Sequence, residues 1–133
     1  MNIKDLAQEL IEAYNEAFKG NTAPLKAMDS PDVVYHMGIR GDVHGADAHE
    51  KDILNSLAVF SSVKIDMKFL AGDGNLLAFT FKAEYTLNDK VSAAAAGKIV
   101  SEDGLFLYQF KKGKISEVWM HASFKGLEAL GMK

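Results

Sequence analysis

The apolar residues of this chain change their spacing once, and that change limits what it can fold into. Ile3, Leu6, Ala7, Leu10, Ile11, Tyr14, Ala17 and Phe18 recur at steps of three and four. Lys4, Asp5, Glu9, Glu12 and Glu16 fill the other side, so the stretch predicts an amphipathic helix capped by Asn2 and ended at Gly20. From Ser62 the step is two: Val63, Ile65, Met67 and Phe69 alternate with Lys64, Asp66 and Lys68. That pattern predicts a strand with one wet face. A turn over Ala71 to Asn75 leads into a second alternating run through Leu77, Phe79, Phe81, Ala83 and Tyr85, and short turns of this kind pair strands antiparallel. A third and fourth strand, Gly104 to Phe110 and Ile115 to Ala122, form a hairpin about the polar turn Lys111-Lys112-Gly113-Lys114.

Between the two regimes, Thr22-Ala23-Pro24 begins a short second helix that Asp29-Ser30-Pro31 stops. Asp32 to Met37 reads as a strand and Gly38 to Gly45 as a loop. Asp47 and Glu50 have capping-box spacing ahead of a third helix through Ile53, Leu54, Leu57 and Ala58. Helices first and antiparallel strands later predict an α+β fold, with about three N-terminal helices laid on one face of a curved antiparallel sheet. With 133 residues, 48% of them hydrophobic, the chain has room for one domain, residues 1–133.

A net charge of −3 and the absence of basic runs argue against nucleic acid and anionic lipid as partners. The chain has no cysteine, which removes disulfides, thiolate nucleophiles and cysteine metal sites. Met1-Asn2-Ile3-Lys4-Asp5 has no signal-peptide core, and the alanine-rich segment Val91 to Gly97 is too short to span a bilayer, so a cytoplasmic protein is expected. His44 and His49 lack zinc-ligand spacing, and no phosphate-binding loop or dinucleotide fingerprint is present, so neither metal nor organic cofactor is expected.

Several strings, in order, resemble one family: a tyrosine-bearing first helix, Pro31-Asp-Val-Val-Tyr-His36, Gly45 before the third helix, Ala71-Gly-Asp73, Gly97-Lys98, Gly113-Lys-Ile115, Trp119 and Leu130-Gly131. Together they resemble the SnoaL-like polyketide cyclase group of the nuclear transport factor 2-like, ketosteroid isomerase-like superfamily. The resemblance implies a cone-shaped, cystatin-like fold whose sheet curls around an apolar cavity that takes a small hydrophobic molecule. Tyr35, Phe79, Phe81, Tyr85, Phe106, Tyr108 and Trp119 are the expected substrate-binding aromatics, although any one of them taken singly reads better as ordinary core.

The resemblance also suggests catalytic candidates. His36 stands where the isomerases hold their proton-shuttling carboxylate, and Tyr14 matches the tyrosine that stabilises the enolate oxygen; an imidazole and a buried hydroxyl suit those roles. Phe106 replaces the isomerases' protonated aspartate. His121 follows Trp119 by two and shares its face, toward the cavity if Ile115 and Glu117 are on that face too. It could replace the acidic residue that cyclases carry near this point. Asp42 and His44 are expected at the cavity mouth, on a loop able to act as a flap. Glu102 reads as a solvated residue in a bend, and Lys82 and Glu84 as exposed strand residues. Three readings follow: an enzyme of cyclase, isomerase or dehydratase type, a ligand-binding protein without chemistry, or an interaction module. A homodimer is compatible with each.

Overall fold

A computed structural model describes residues 2–73 and 75–123. Leu130-Gly131 and Gly74 of the 71–75 turn lie outside the described residues. Asn2 caps α1 (Ile3–Ala17) by accepting the Asp5 amide at 2.8 Å, and the helix buries Ala7, Leu10, Ala13, Tyr14 and Ala17. Those positions are the apolar stripe read from spacing, and they lie against the sheet. Helix α2 (Ala23–Met28) carries Pro24 in its first turn, where a missing amide hydrogen has no effect. Helix α3 (Ala46–Leu57) buries Ala46, His49 and Ile53.

The N-cap of α3 is Gly45, not Asp47, and no side chain caps it. Gly45 has φ 95°, a left-handed conformation that suits glycine, and Asp47 lies two residues past it, already inside the helix. Asp47 instead meets Lys26 at 2.8 Å, while Glu50 takes the Thr22 hydroxyl at 2.6 Å and Lys26 at 3.1 Å. These contacts join α3 to α2.

Six strands form one sheet in the order β2-β1-β6-β5-β4-β3: β1 (Asp29–His36), β2 (Asp42–His44), β3 (Phe60–Gly72), β4 (Leu76–Leu87), β5 (Ile99–Lys111) and β6 (Lys114–Ala122). Neighbours pair antiparallel except β1 and β6, which are parallel, so the sheet is mixed rather than wholly antiparallel. The expected 38–45 loop contains a short 3-10 helix (Gly38–Arg40) and strand β2. The Val91 to Gly97 segment is a run of turns joining β4 to β5, and its Ala95 packs with Leu87 and Val100.

The inward phase is odd in β1 (Val33, Tyr35), odd in β4 (Leu77, Phe79, Phe81, Ala83) and even in β5 (Phe106, Tyr108, Phe110). Lys82 and Glu84 are on the opposite, exposed face of β4, where they stand across from Asp66 and Lys64. Each large apolar side chain fully withdrawn from water contributes on the order of 1.5–3 kcal/mol, and the core built from Leu10, Leu25, Val33, Phe79 and Ile115 is what holds helices to sheet. Among the described residues, no helix is long and apolar enough to cross a membrane.

Candidate active site

A cavity of about 190 Å³ lies between the sheet and helices α1 and α3. Phe18, Ile53, Ile65, Phe81, Phe106 and Met120 make its apolar wall. Tyr14, Arg40, His49, Asp52, Tyr85 and Glu102 bring polar groups to it. Such a combination, mostly apolar with a few polar groups, is what orients a small ligand.

Glu102 reaches the cavity because β5 begins at Ile99, five residues before the expected start, so that Val100, Glu102, Gly104 and Phe106 follow one face. The reading of Glu102 as a solvated bend residue is therefore corrected. Its Oε1 accepts the Tyr85 hydroxyl, and its buried Oε2 has no partner among the described residues. Burial raises its pKa above the ordinary carboxylate value, partly offset by the Tyr85 hydrogen bond and the nearby charge of Arg40. The hydroxyls of Tyr85 and Tyr14 are likewise held well above the usual phenol range, first by burial and then by the charge of Glu102. Tyr14 packs edge-on against Phe106, with ring centres 5.4 Å apart.

Arg40 comes from the 3-10 turn after β1, and its Nη2 donates to both Asp52 oxygens on α3, at 2.9 and 3.0 Å. His49, one turn before Ile53 on α3, presents Nδ1 to Asp29 Oδ2 at 3.2 Å. Asp29 also accepts the Tyr35 hydroxyl at 2.8 Å, and the Tyr35 and His49 rings stack with centres 3.6 Å apart. Asp29 and His49 are the two buried charged or polar residues of the described core.

Of the residues singled out from sequence, Tyr14, Phe81, Tyr85 and Phe106 line this cavity. Tyr35, Phe79 and Tyr108 are buried beside it as core; the Tyr108 hydroxyl has no partner among the described residues. His36, His121 and Trp119 lie outside it, and the structure does not bring the two histidines together at the cavity. In β1 the inward phase is Val33, Tyr35 and then Met37, which lines the cavity, so His36 faces outward. There it stacks on Trp119 at 5.5 Å, and its Nδ1 and Nε2 meet Asp42 at 3.0 Å and Glu117 at 2.6 Å.

In β6 a bulge interrupts the alternation: Phe110 pairs with Ile115 and Gln109 with Glu117, leaving Ser116 extra. Ile115 is inward, as are Val118 and Met120, and Glu117, Trp119 and His121 are therefore outward. Ile115 and Glu117 do not share a face, which removes the geometric condition for His121 to reach the cavity. Asp42 and His44 are exposed on β2, and Arg40, not either of them, is the cavity residue of that segment.

Sequence reasoning missed Glu102, His49, Arg40 and Asp52. Counting back by twos from Phe106 would have reached Glu102, and the Ala46, His49, Ile53 spacing marks His49 as helix-buried. Nothing local announces the Arg40–Asp52 pair. Among the described residues, no three or more histidines and carboxylates gather as metal ligands.

The family model described as SnoaL-like domain matches residues 7–118. No curated protein matches the chain. Solved structures do share its fold. A candidate polyketide cyclase from Xanthomonas campestris pv. campestris is 20% identical over 92% of this chain and 94% of that one, with a TM-score of 0.76. IdmH from Streptomyces antibioticus, also a candidate polyketide cyclase, is 21% identical over 97% and 98%, with a TM-score of 0.74. An NTF2-like protein of unknown function from Burkholderia pseudomallei is 15% identical over 93% and 95%, with a TM-score of 0.76.

Proposed function

The chain belongs to the SnoaL-like domain family, and from that membership and the cavity's polar groups we propose that it binds a small hydrophobic carbonyl compound and moves a proton on it, using its own side chains. The reading rests on one observation above the others. Glu102 lines an apolar cavity with one oxygen bonded by Tyr85 and the other buried without a partner among the described residues. Burial there shifts the carboxyl toward its neutral form, and a proton on Oε2 would be the donor that a carbonyl oxygen needs.

Glu102 then acts as general acid at the substrate oxygen, and Tyr14 is the second hydroxyl available to a developing oxyanion. The product is an enol, the intermediate common to cyclase- and isomerase-type reactions. The cavity's size supports a small substrate, because an apolar cavity of roughly 150 Å³ already admits benzene. About 190 Å³ suits one ring or a compact bicycle.

The test needs no knowledge of the natural substrate. Cyclohexanone and α-tetralone are incubated with protein in deuterium oxide, and loss of the α-proton signal is followed by NMR. Wild-type protein should accelerate exchange, and Glu102→Gln should slow the accelerated rate by about 10²-fold. Binding without acceleration would make this a ligand-binding protein; an unchanged rate in the variant would remove Glu102 from the chemistry.

A further inference from the structure

An acid at the carbonyl oxygen requires a base at the α-carbon, and the cavity holds a built one. We propose that His49 is that base, with Asp29 and Tyr35 as its positioning residues; the inference rests on the proton-transfer reading above. Three features of the structure converge on it.

First, the hydrogen-bond partner fixes which ring nitrogen carries a hydrogen. Asp29 is 4% exposed and takes the Tyr35 hydroxyl on one oxygen, leaving the other for His49 Nδ1 at 3.2 Å. A carboxylate only accepts, so Nδ1 carries the hydrogen, and the electron pair of the neutral imidazole is the one on Nε2. Second, that nitrogen has no hydrogen-bond partner among the described residues. His49 lines the cavity while Asp29 does not, and with Nδ1 committed to Asp29, Nε2 is the ring nitrogen left for a ligand there. Third, the ring cannot easily leave this orientation. It is 4% exposed, lies on α3 one turn before Ile53, and is stacked on Tyr35 at 3.6 Å with an interplanar angle of 15°.

An ordinary core histidine would need one polar partner to be satisfied. This one has its partner, and the partner in turn is held by a tyrosine. That chain of hydrogen bonds is what orients a base and stabilises the imidazolium it becomes.

The step balances. His49 Nε2 takes the α-proton; the C–H pair becomes the C=C bond; the carbonyl π pair moves to oxygen, which takes the proton from Glu102 Oε2. Asp29 faces the imidazolium, and the Glu102 carboxylate faces Tyr85 and the charge of Arg40. Reversal in deuterium oxide returns deuterium to carbon and restores both groups. The chemistry selects a substrate class: an enolisable ketone whose α-carbon faces α3 while its oxygen faces β5.

The test uses the same ketones and the full chain. His49→Asn should slow exchange by about 10²- to 10⁴-fold, comparable with Glu102→Gln, and Asp29→Asn should give an intermediate loss. His49→Gly with added imidazoles should recover rate with an exponent set by the imidazole's basicity, which refilling a hole would not do. Nitrogen-15 NMR of wild-type protein should find the Nδ1–H form of His49, and Asp29→Asn should erase that preference. If Glu102→Gln is slow while His49→Asn exchanges at the wild-type rate, the dyad is structural and this inference falls while the proposed function stands. If wild-type protein accelerates nothing, both fall. Should His49→Asn fail to fold, Asp29→Asn decides: a changed tautomer with an unchanged rate overturns the role.

Discussion

Burial of Glu102 makes the protein's stability depend on pH in a definite direction. Its folded pKa is raised above the unfolded value, first by desolvation, so the stabilising protonated state is fully populated below the ordinary carboxylate range and lost as pH rises through the folded value. Glu102→Gln should therefore stabilise the fold at neutral pH, with the gain shrinking as pH falls through the raised folded value and gone below about 4. Urea denaturation of both proteins at pH 3.5, 5 and 7 would test this, and a gain that does not vary with pH would contradict it. At this scale the site was half legible. Tyr14, Phe81, Tyr85 and Phe106 were readable as aromatics on amphipathic elements, and four of the polar groups were not. Glu102 was hidden by placing the start of its strand at Gly104, His49 was weighed only as a zinc ligand, and Arg40 and Asp52 meet only through the tertiary fold.

Among elements, β6 shows how one inserted residue redirects a face. Its bulge at Ser116 is stitched by the Ser116 hydroxyl donating to the Gln109 carbonyl at 3.1 Å. An alternation counted through that point puts Trp119 and His121 on the face of Ile115, and the structure puts them on the other. The element inventory itself was largely legible: three helices and the long β3, β4, β5 and β6 strands follow from periodicity. Strand β2, with three residues, is too short to carry a period, and the parallel β1–β6 pairing is a long-range choice that local sequence does not encode.

Gly104 is the element-scale residue most sensitive to change. A Cβ there would lie 1.9 Å from the His121 carbonyl oxygen and 2.8 Å from Ala122 Cα, both backbone atoms that cannot swing aside. Gly104→Ala should cost about 1–3 kcal/mol, read as a lower denaturation midpoint. A midpoint equal to wild type would mean the β5–β6 approach is looser than described.

For the whole molecule, His36 acts as a tie across three strands on the outer face. Both ring nitrogens meet carboxylates, an arrangement that favours the imidazolium, and the ring's pKa is raised, first by the Glu117 hydrogen bond, which burial opposes, and then by Asp42. A raised folded pKa gives stabilisation that is full below about pH 6.5 and lost as pH climbs through the folded value. His36→Gln should thus destabilise by at most about 1 kcal/mol at pH 6 and by nearly nothing at pH 9. A loss of equal size at both would point to packing on Trp119 instead.

The same three strands set the order in which a newly made chain can become this structure. Val34 pairs with Glu117 in parallel, and among the described residues the only other strand beside β1 is the three-residue β2. During synthesis β1 precedes its main neighbour by α3 and the whole of β3, β4 and β5, so loop closure over that distance slows completion of the fold. Until then its unpaired edge is open to other nascent chains, which makes that edge the place where misassembly during synthesis would begin.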